Sequence, residues 1–122
     1  MKGTIVYIAH GALRFHQQTA FSIYSLLHWL MQEEDSAVRV AVFTDKPHRV
    51  PSHELIQTHK LTSSELVQFK GALNYVHRVK IAVLAEAAEI YPGPILYVDC
   101  DTKWLRSPRT AWVLPRYHGR LS

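Results

Sequence analysis

Apolar residues along this chain form short continuous runs that alternate with segments of helical periodicity. The runs TIVYIA (residues 4–9), VRVAVFTD (38–45) and ILYVD (95–99) are rich in β-branched and aromatic residues and predict buried strands. A further stretch, ELIQTHKL (54–61), alternates enough to predict a more exposed strand. The pattern therefore predicts four strands, three of them buried.

The segments between these runs predict three helices. After a short loop over residues 11–15, residues 16–32 have apolar side chains at helical spacing. Those that we expect in the core are Ala20, Ile23, Tyr24, Leu27, Leu30 and Met31. Thr62 with Glu65 is a capping-box pattern that predicts a short helix over 63–70. A longer helix follows over the segment VHRVKIAVLAEAAEIY, with an apolar face of Val79, Ala82, Val83 and Ala87.

Apolar strands that alternate with helices are typical of a mostly parallel sheet covered on both faces. We therefore predict an α/β, Rossmann-like fold. Ligands of such sheets bind beyond the carboxyl ends of the strands. Three predicted strands run into polar residues at those ends, namely His10-Gly11, Asp45 and Asp99-Cys100-Asp101.

The charge of the chain is unevenly distributed. The net charge is +4, but residues 103–122 carry five basic residues and no acid. The remaining residues hold nine basic and ten acidic side chains, so the body is near neutral. We therefore expect no nucleic-acid partner for the body, which lacks a basic stripe. The basic tail could contact phosphate, RNA or an anionic membrane surface, or be a solvated and poorly ordered end.

Cysteine usage and hydropathy indicate a cytoplasmic protein. Cys100 is the single cysteine, so no internal disulfide can form. The apolar stretch at the N-terminus is too short for a signal peptide, and no stretch approaches the ~20 apolar residues that span a bilayer. The eight histidines have no zinc-site spacing.

The acids Asp99 and Asp101 end a predicted strand with one residue between them. Residues i and i+2 of a strand face the same way, so both carboxylates can converge, and a divalent cation would relieve their repulsion. Mg²⁺ is often held by one or two carboxylates together with substrate phosphates. The alternative is a solvated turn in which an Asp caps backbone amides. A haloacid-dehalogenase-type phosphatase is disfavoured, because Lys103 stands where that motif has Thr or Val.

Several of these segments together resemble the N-terminal half of nucleotide-diphospho-sugar transferases, closest in pattern to glycosyltransferases of the family 8 type with the GT-A fold. The resemblance covers residues 4–108. Its most specific parts are Arg78 and Lys80 at a helix start and the strand with its DxD motif at 95–101. The segments that carry it are TIVYIAHG, TAFSIYSLLHWL, VAVFTD, HRVKIAVL and ILYVDCDT. It implies sugar transfer from a nucleotide-diphosphate donor, usually a UDP-sugar, to an unknown hydroxyl acceptor, with Mn²⁺ or Mg²⁺.

The resemblance also implies where the nucleotide would lie at the end of the first strand. Ala9, His10 and Gly11 occupy the positions that meet the nucleotide, and Phe15 would flank the base or ribose. His10 and Phe15 could equally form the turn and pack.

The remaining implied residues surround the diphosphate. Asp99 would contact ribose and metal, and Asp101 would ligate the metal. Arg78 would reach the diphosphate or sugar, with Lys80 in a weaker version of that role, although Arg78 could also be a surface residue. Trp104, which follows the acids, is expected to pack nearby or to stack on a sugar.

The chain departs from the family after the DxD motif. Family members continue into an acceptor pocket and a further metal ligand, commonly a His, for which His118 is a candidate in name only. We expect residues 1–108 to form an incomplete nucleotide-sugar-binding domain and 109–122 to be a basic tail, disordered or altered in reading frame, unless the chain is a natural short variant. The alternative to a glycosyltransferase is a truncated, non-catalytic fragment or a nucleotide-binding or structural domain of the same fold.

Overall fold

The four predicted strands and two of the predicted helices are present in the structure, a computed structural model that describes residues 3–32, 38–62, 75–105 and 108. The strands are β1 (Gly3–Ala9), β2 (Val38–Thr44), β3 (Ile56–Lys60) and β4 (Ile95–Tyr97). The helices are α1 (Leu13–Leu30), α2 (Tyr75–Ile90) and a 3-10 turn over Pro47–Arg49. The helix predicted over 63–70 and the basic tail over 109–122 lie outside the described residues.

The described strands form one sheet in the order β3-β2-β1-β4. Every neighbouring pair is parallel, with Gly3 opposite Val38 and Thr4 opposite Ile95. The α/β, Rossmann-like prediction is therefore confirmed. Because all strands are parallel, their carboxyl ends share one edge of the sheet, which we call the carboxyl edge.

Alternate residues of each strand build two cores on opposite faces of the sheet. In β1, Ile5 and Tyr7 pack with α1, whereas Val6 packs with α2. All three side chains are fully buried. Burial of one large apolar side chain contributes about 1.5–3 kcal/mol, so the paired cores hold both helices against the sheet.

Helix α1 departs from prediction in its start and in its buried face. It begins at Leu13, inside the segment predicted as a loop. Tyr24 and Met31, predicted as core, are 61% and 70% exposed, so that prediction is wrong. The buried stripe is shifted around the helix because it includes three polar side chains, which a count of apolar residues does not find. These are His16, Thr19 and Ser22.

Helix α2 and the shorter strands follow the predicted pattern more closely. Val79, Val83 and Ala87 are buried, as predicted, while Ala82 is half-buried. The regular strand β4 ends at Tyr97, two residues before the predicted end, and the amide of Val98 makes one further bond to β1. The chain is thus free to turn where the two acids lie.

Candidate functional site

A sharp turn after β1 brings the start of α1 to the carboxyl edge. Gly11 has a φ of +91°, a region that glycine enters without the strain of a Cβ. Its amide donates to Asp45 Oδ2 at 3.4 Å, which ties the turn to the end of β2. Ala12 is extended, and α1 begins at the next residue. The side chains of its first two turns are therefore presented at this edge.

A second turn follows β4 and carries the two acids. The amide of Val98 still donates to the carbonyl of Val6, at 3.0 Å. The amide of Thr102 then donates to the carbonyl of Asp99 at 3.1 Å, which closes a turn over 99–102. Asp99 is half-buried and Asp101 exposed, so the chain bends after Asp99 as predicted.

The two turns border an open pocket of about 540 Å³, which we call the edge pocket. Its lining residues are Ile8, Arg14, Phe15, Gln18, Tyr97, Asp99, Cys100 and Asp101. Three predicted site residues, Phe15, Asp99 and Asp101, are therefore brought together. Arg14 and Gln18 were missed because they lie in or just after a segment predicted as a loop, and only the true start of α1 would have placed them.

Tyr97 links the acids to α2. Burial first, and then the neighbouring charge of Asp99 and their hydrogen bond, raise the pKa of the Tyr97 hydroxyl well above its usual range. The hydroxyl therefore stays protonated and acts as a donor toward the Asp99 carboxylate. Lys80, on α2, places its Nζ 4.3 Å from the centroid of the Tyr97 ring. Lys80 thus contacts the site through this ring and is not among the residues that line the edge pocket.

The Cys100 thiol is a poor nucleophile in this setting. Burial, followed by the charges of Asp101 and Asp99, raises its pKa, so the thiolate is disfavoured. Its Sγ donates to Gln18 Oε1 at 3.4 Å, which links the turn to α1. This placement agrees with a small residue that fits the bend.

A buried histidine stands beside the β1 turn. His16 Nε2 lies 3.3 Å from Asp45 Oδ1. Burial lowers the pKa of His16 more than the charge of Asp45 raises it, so the imidazole favours its neutral form. Asp45 lies at the carboxyl edge as predicted, but it braces the turn at Gly11 and does not line the edge pocket.

Three of the predicted nucleotide contacts, Ala9, His10 and Gly11, are not among the residues that line the edge pocket. Ala9 is buried at the end of β1, and His10 and Gly11 follow in the turn. Ile8 is the β1 residue that reaches the pocket. Arg78 lies in the first turn of α2, and its side chain is outside the described part of the structure.

Trp104 lies inside the molecule. It is 7% exposed and packs in the core under α1 with Ile5 and Tyr7. Its indole Nε1 donates to Tyr7 Oη at 2.9 Å, and its amide donates to Ser25 Oγ at 3.0 Å. The expected packing is present, whereas a stacking role is not compatible with this burial.

The acids would provide only part of a coordination shell for a divalent cation. Within residues 3–32, 38–62 and 75–105, no group of three or more His, Cys, Asp or Glu side chains is arranged to hold a metal ion. Asp99 and Asp101 would each supply one or two oxygen ligands. Such a pair fits Mg²⁺ or Mn²⁺ when phosphate oxygens and water complete the shell.

Comparison with protein-family models gave no match to this chain, and comparison with curated proteins gave no significant match. Among the helices in the described ranges, none combines the length and the apolar character needed to cross a membrane.

Proposed function

We propose that this chain is the nucleotide-sugar-binding half of a GT-A-type glycosyltransferase, with a UDP-sugar as the preferred donor. The observation that carries the proposal is the convergence of Asp99, Asp101, Arg14 and Phe15 on one open pocket at the carboxyl edge of a parallel sheet. Ligand sites of this fold class lie at that edge. The pocket volume of about 540 Å³ suits a ligand of nucleotide size.

Charge in the edge pocket suits a diphosphate that carries a cation. Arg14 is an exposed guanidinium on the first turn of α1. The amino end of a helix also favours anions, because its first amides lack partners within the helix. Arg14 and the helix end would hold phosphate oxygens, while the acids would hold the cation.

Phe15 provides an apolar surface beside this charged region. Its ring is half-buried, and the Arg14 guanidinium lies 4.9 Å from the ring centroid. An aromatic ring in this position can pack against a ribose or a base, as the resemblance implies. The orientation of Arg14 by this ring would also fix where the diphosphate binds.

The cation would be held by Asp99 and Asp101, with Tyr97 orienting Asp99. When bound, it would neutralise the negative charge that develops on the diphosphate as its bond to the sugar breaks. The side chains of the described pocket would bind the donor and keep its diphosphate next to the acids. As part of the same proposal we place the protein in the cytoplasm, where a free Cys100 stays reduced.

The test is titration of UDP into the full chain by calorimetry, with Mn²⁺ and separately with EDTA. We expect binding in Mn²⁺ and a loss of at least about tenfold in affinity with EDTA, equivalent to about 1.4 kcal/mol. Asp101→Asn keeps the size of the side chain but removes its charge, so it should lose the Mn²⁺-dependent part of the affinity. Glu89→Gln makes the same change of charge at an exposed position of α2, and this variant should bind UDP as the wild type does.

Two outcomes would overturn the proposal. One is the absence of UDP binding in Mn²⁺. The other is binding that is the same in Mn²⁺, in EDTA and in Asp101→Asn, since a site built on the acids must depend on both charge and metal. A radiolabelled UDP-sugar assay on the same samples separates a transferase from a nucleotide-binding domain. The latter binds UDP but transfers no sugar to water or to an added acceptor.

A further inference from the structure

A second open pocket lies next to the edge pocket, on the outer side of α1. Its volume is about 350 Å³, and we call it the side pocket. Its lining residues are Arg14, Gln17, Gln18, Phe21, Asp101, Thr102 and Lys103. Arg14, Gln18 and Asp101 also line the edge pocket, so the two pockets are adjacent and share these three side chains.

The side pocket combines an aromatic surface with several hydrogen-bonding groups. Phe21 is 63% exposed, which leaves its ring available to a ligand. Gln17 and Gln18 each offer an amide donor and acceptor, and Thr102 adds a hydroxyl. A pyranose presents a ring with an apolar face and hydroxyls around its edge. Such a ligand matches this set of side chains.

Two cations border the same pocket. Arg14 and Lys103 are exposed and face a single acid, Asp101. In the proposed function Arg14 holds the donor diphosphate and Asp101 holds the cation, so Lys103 would give the side pocket a positive charge. Such a charge favours a sugar with an anionic group.

We infer that the side pocket binds the acceptor, a saccharide that carries an anionic group such as a phosphate or carboxylate. This inference rests on the proposed function, because it makes the side pocket the partner of a donor in the edge pocket. An acceptor hydroxyl would approach the donor past Asp101. Its oxygen forms the bond to the anomeric carbon, the bond from that carbon to the diphosphate breaks, and the hydroxyl proton leaves on the released nucleoside diphosphate.

The experiment titrates sugars into the ¹⁵N-labelled full chain and follows amide shifts by NMR. The probes are glucose 6-phosphate, the neutral methyl glucoside and inorganic phosphate. We expect glucose 6-phosphate to shift the amide resonances of Thr102 and Lys103. It should bind about fivefold more tightly than the methyl glucoside, which lacks the charge-assisted contact, and about fivefold more tightly than inorganic phosphate, which lacks the ring contact. Lys103→Gln should remove the preference over the methyl glucoside.

Phe21 and Tyr24 provide a matched pair of variants on α1. They are 63% and 61% exposed, and of the two only Phe21 lines the side pocket. Phe21→Ala should weaken the binding of glucose 6-phosphate by about fivefold through loss of the ring contact, whereas Tyr24→Ala should leave it unchanged. The UDP affinity in Mg²⁺ should be the same in both variants as in the wild type.

The outcomes separate this inference from the proposed function. No shift with glucose 6-phosphate, equal losses in Phe21→Ala and Tyr24→Ala, or equal binding of inorganic phosphate would overturn the side-pocket inference. Equal affinity for the neutral sugar would overturn its anionic part. A third outcome is that glucose 6-phosphate binds and is weakened by Phe21→Ala but not by Tyr24→Ala, while UDP does not bind. This outcome would retain the saccharide site and overturn its role as an acceptor site.

Discussion

Tyr97 is the side chain through which the acids of the edge pocket are coupled to the rest of the fold. Its ring lies under the Lys80 ammonium, with 4.3 Å between Nζ and the centroid, and its protonated hydroxyl faces Asp99. A donor of this kind limits the rotamers of a carboxylate and keeps one oxygen directed toward a ligand. In the proposed function Tyr97 is thus a positioning residue that acts through Asp99.

We expect Tyr97→Phe to weaken UDP binding in Mn²⁺ by about three- to tenfold, the equivalent of one hydrogen bond. Binding in EDTA should not change, because the hydroxyl acts on the acid that would hold the cation in the proposed function. Calorimetry with and without Mn²⁺ checks this. Tyr24→Phe, which removes an exposed hydroxyl on α1, is the control. Equal losses with and without the metal would show that Tyr97 has only a structural role.

At this scale the sequence could predict the acids but not their partners. Asp99 and Asp101 stand out because a two-residue spacing at a strand end is visible in the chain itself. Arg14 and Gln18 reach the pocket because α1 begins at Leu13, after a turn at Gly11 that also bonds to Asp45. That bond spans 34 residues, and no local pattern reveals it.

Helix α1 and the segment after the acids are joined by a buried network of hydrogen bonds. Ser22 Oγ bonds to Tyr7 Oη at 2.7 Å, and the same Tyr7 oxygen accepts from the Trp104 indole at 2.9 Å. The Trp29 indole donates to the carbonyl of Trp104 at 3.0 Å. Trp104 therefore anchors the acid-bearing turn to the helix that carries the other side of the edge pocket.

Trp104→Phe should lower the free energy of unfolding by about 2–3 kcal/mol, because it leaves a cavity and removes the bond to Tyr7. Urea unfolding followed by far-UV circular dichroism measures this without depending on tryptophan emission. The neighbouring Leu105 is 77% exposed, so Leu105→Ala should change stability by less than about 0.5 kcal/mol. Equal effects of the two substitutions would contradict the anchoring role.

Strands were easier to predict from this chain than helix faces. Strands buried on both sides are apolar throughout, so β1 and β2 are visible as runs without any choice of face. The buried face of α1 instead includes Ser22, whose hydroxyl has its partner on β1. A polar residue with a distant partner looks exposed in the sequence. The predicted buried face was therefore chosen from apolar residues alone, and it included Tyr24 in place of Ser22.

For the whole molecule, we expect stability at high pH to depend on tyrosines buried in both cores. Burial raises the pKa of Tyr7 to about 12, despite the opposing bonds from Ser22 and Trp104. Burial also raises the pKa of Tyr91 and Tyr97. The phenol form is thus retained in the folded protein at a pH where the unfolded chain, with a tyrosine pKa of about 10, has begun to lose its proton.

The sign of the pH dependence follows from proton binding. Between about pH 10 and 12 the unfolded chain binds fewer protons than the folded protein, so the free energy of unfolding falls as pH rises. The contribution of Tyr7 is complete below pH 10 and is lost as pH rises toward its pKa of about 12 in the folded protein. Two pKa units correspond to about 2–3 kcal/mol for this one side chain.

We therefore expect Tyr7→Phe to be less stable than the wild type at pH 8, by about 1–3 kcal/mol, because Trp104 and Ser22 each lose a partner. The difference should shrink as pH rises from 10 to 12, since only the wild type has the Tyr7 proton to lose. Urea unfolding at stepped pH measures both effects, with Tyr24→Phe as the exposed control. If the free energy of unfolding fell with pH in parallel for Tyr7→Phe and the wild type, Tyr7 would not hold its proton through burial. The two cores would then owe their alkaline sensitivity to other groups.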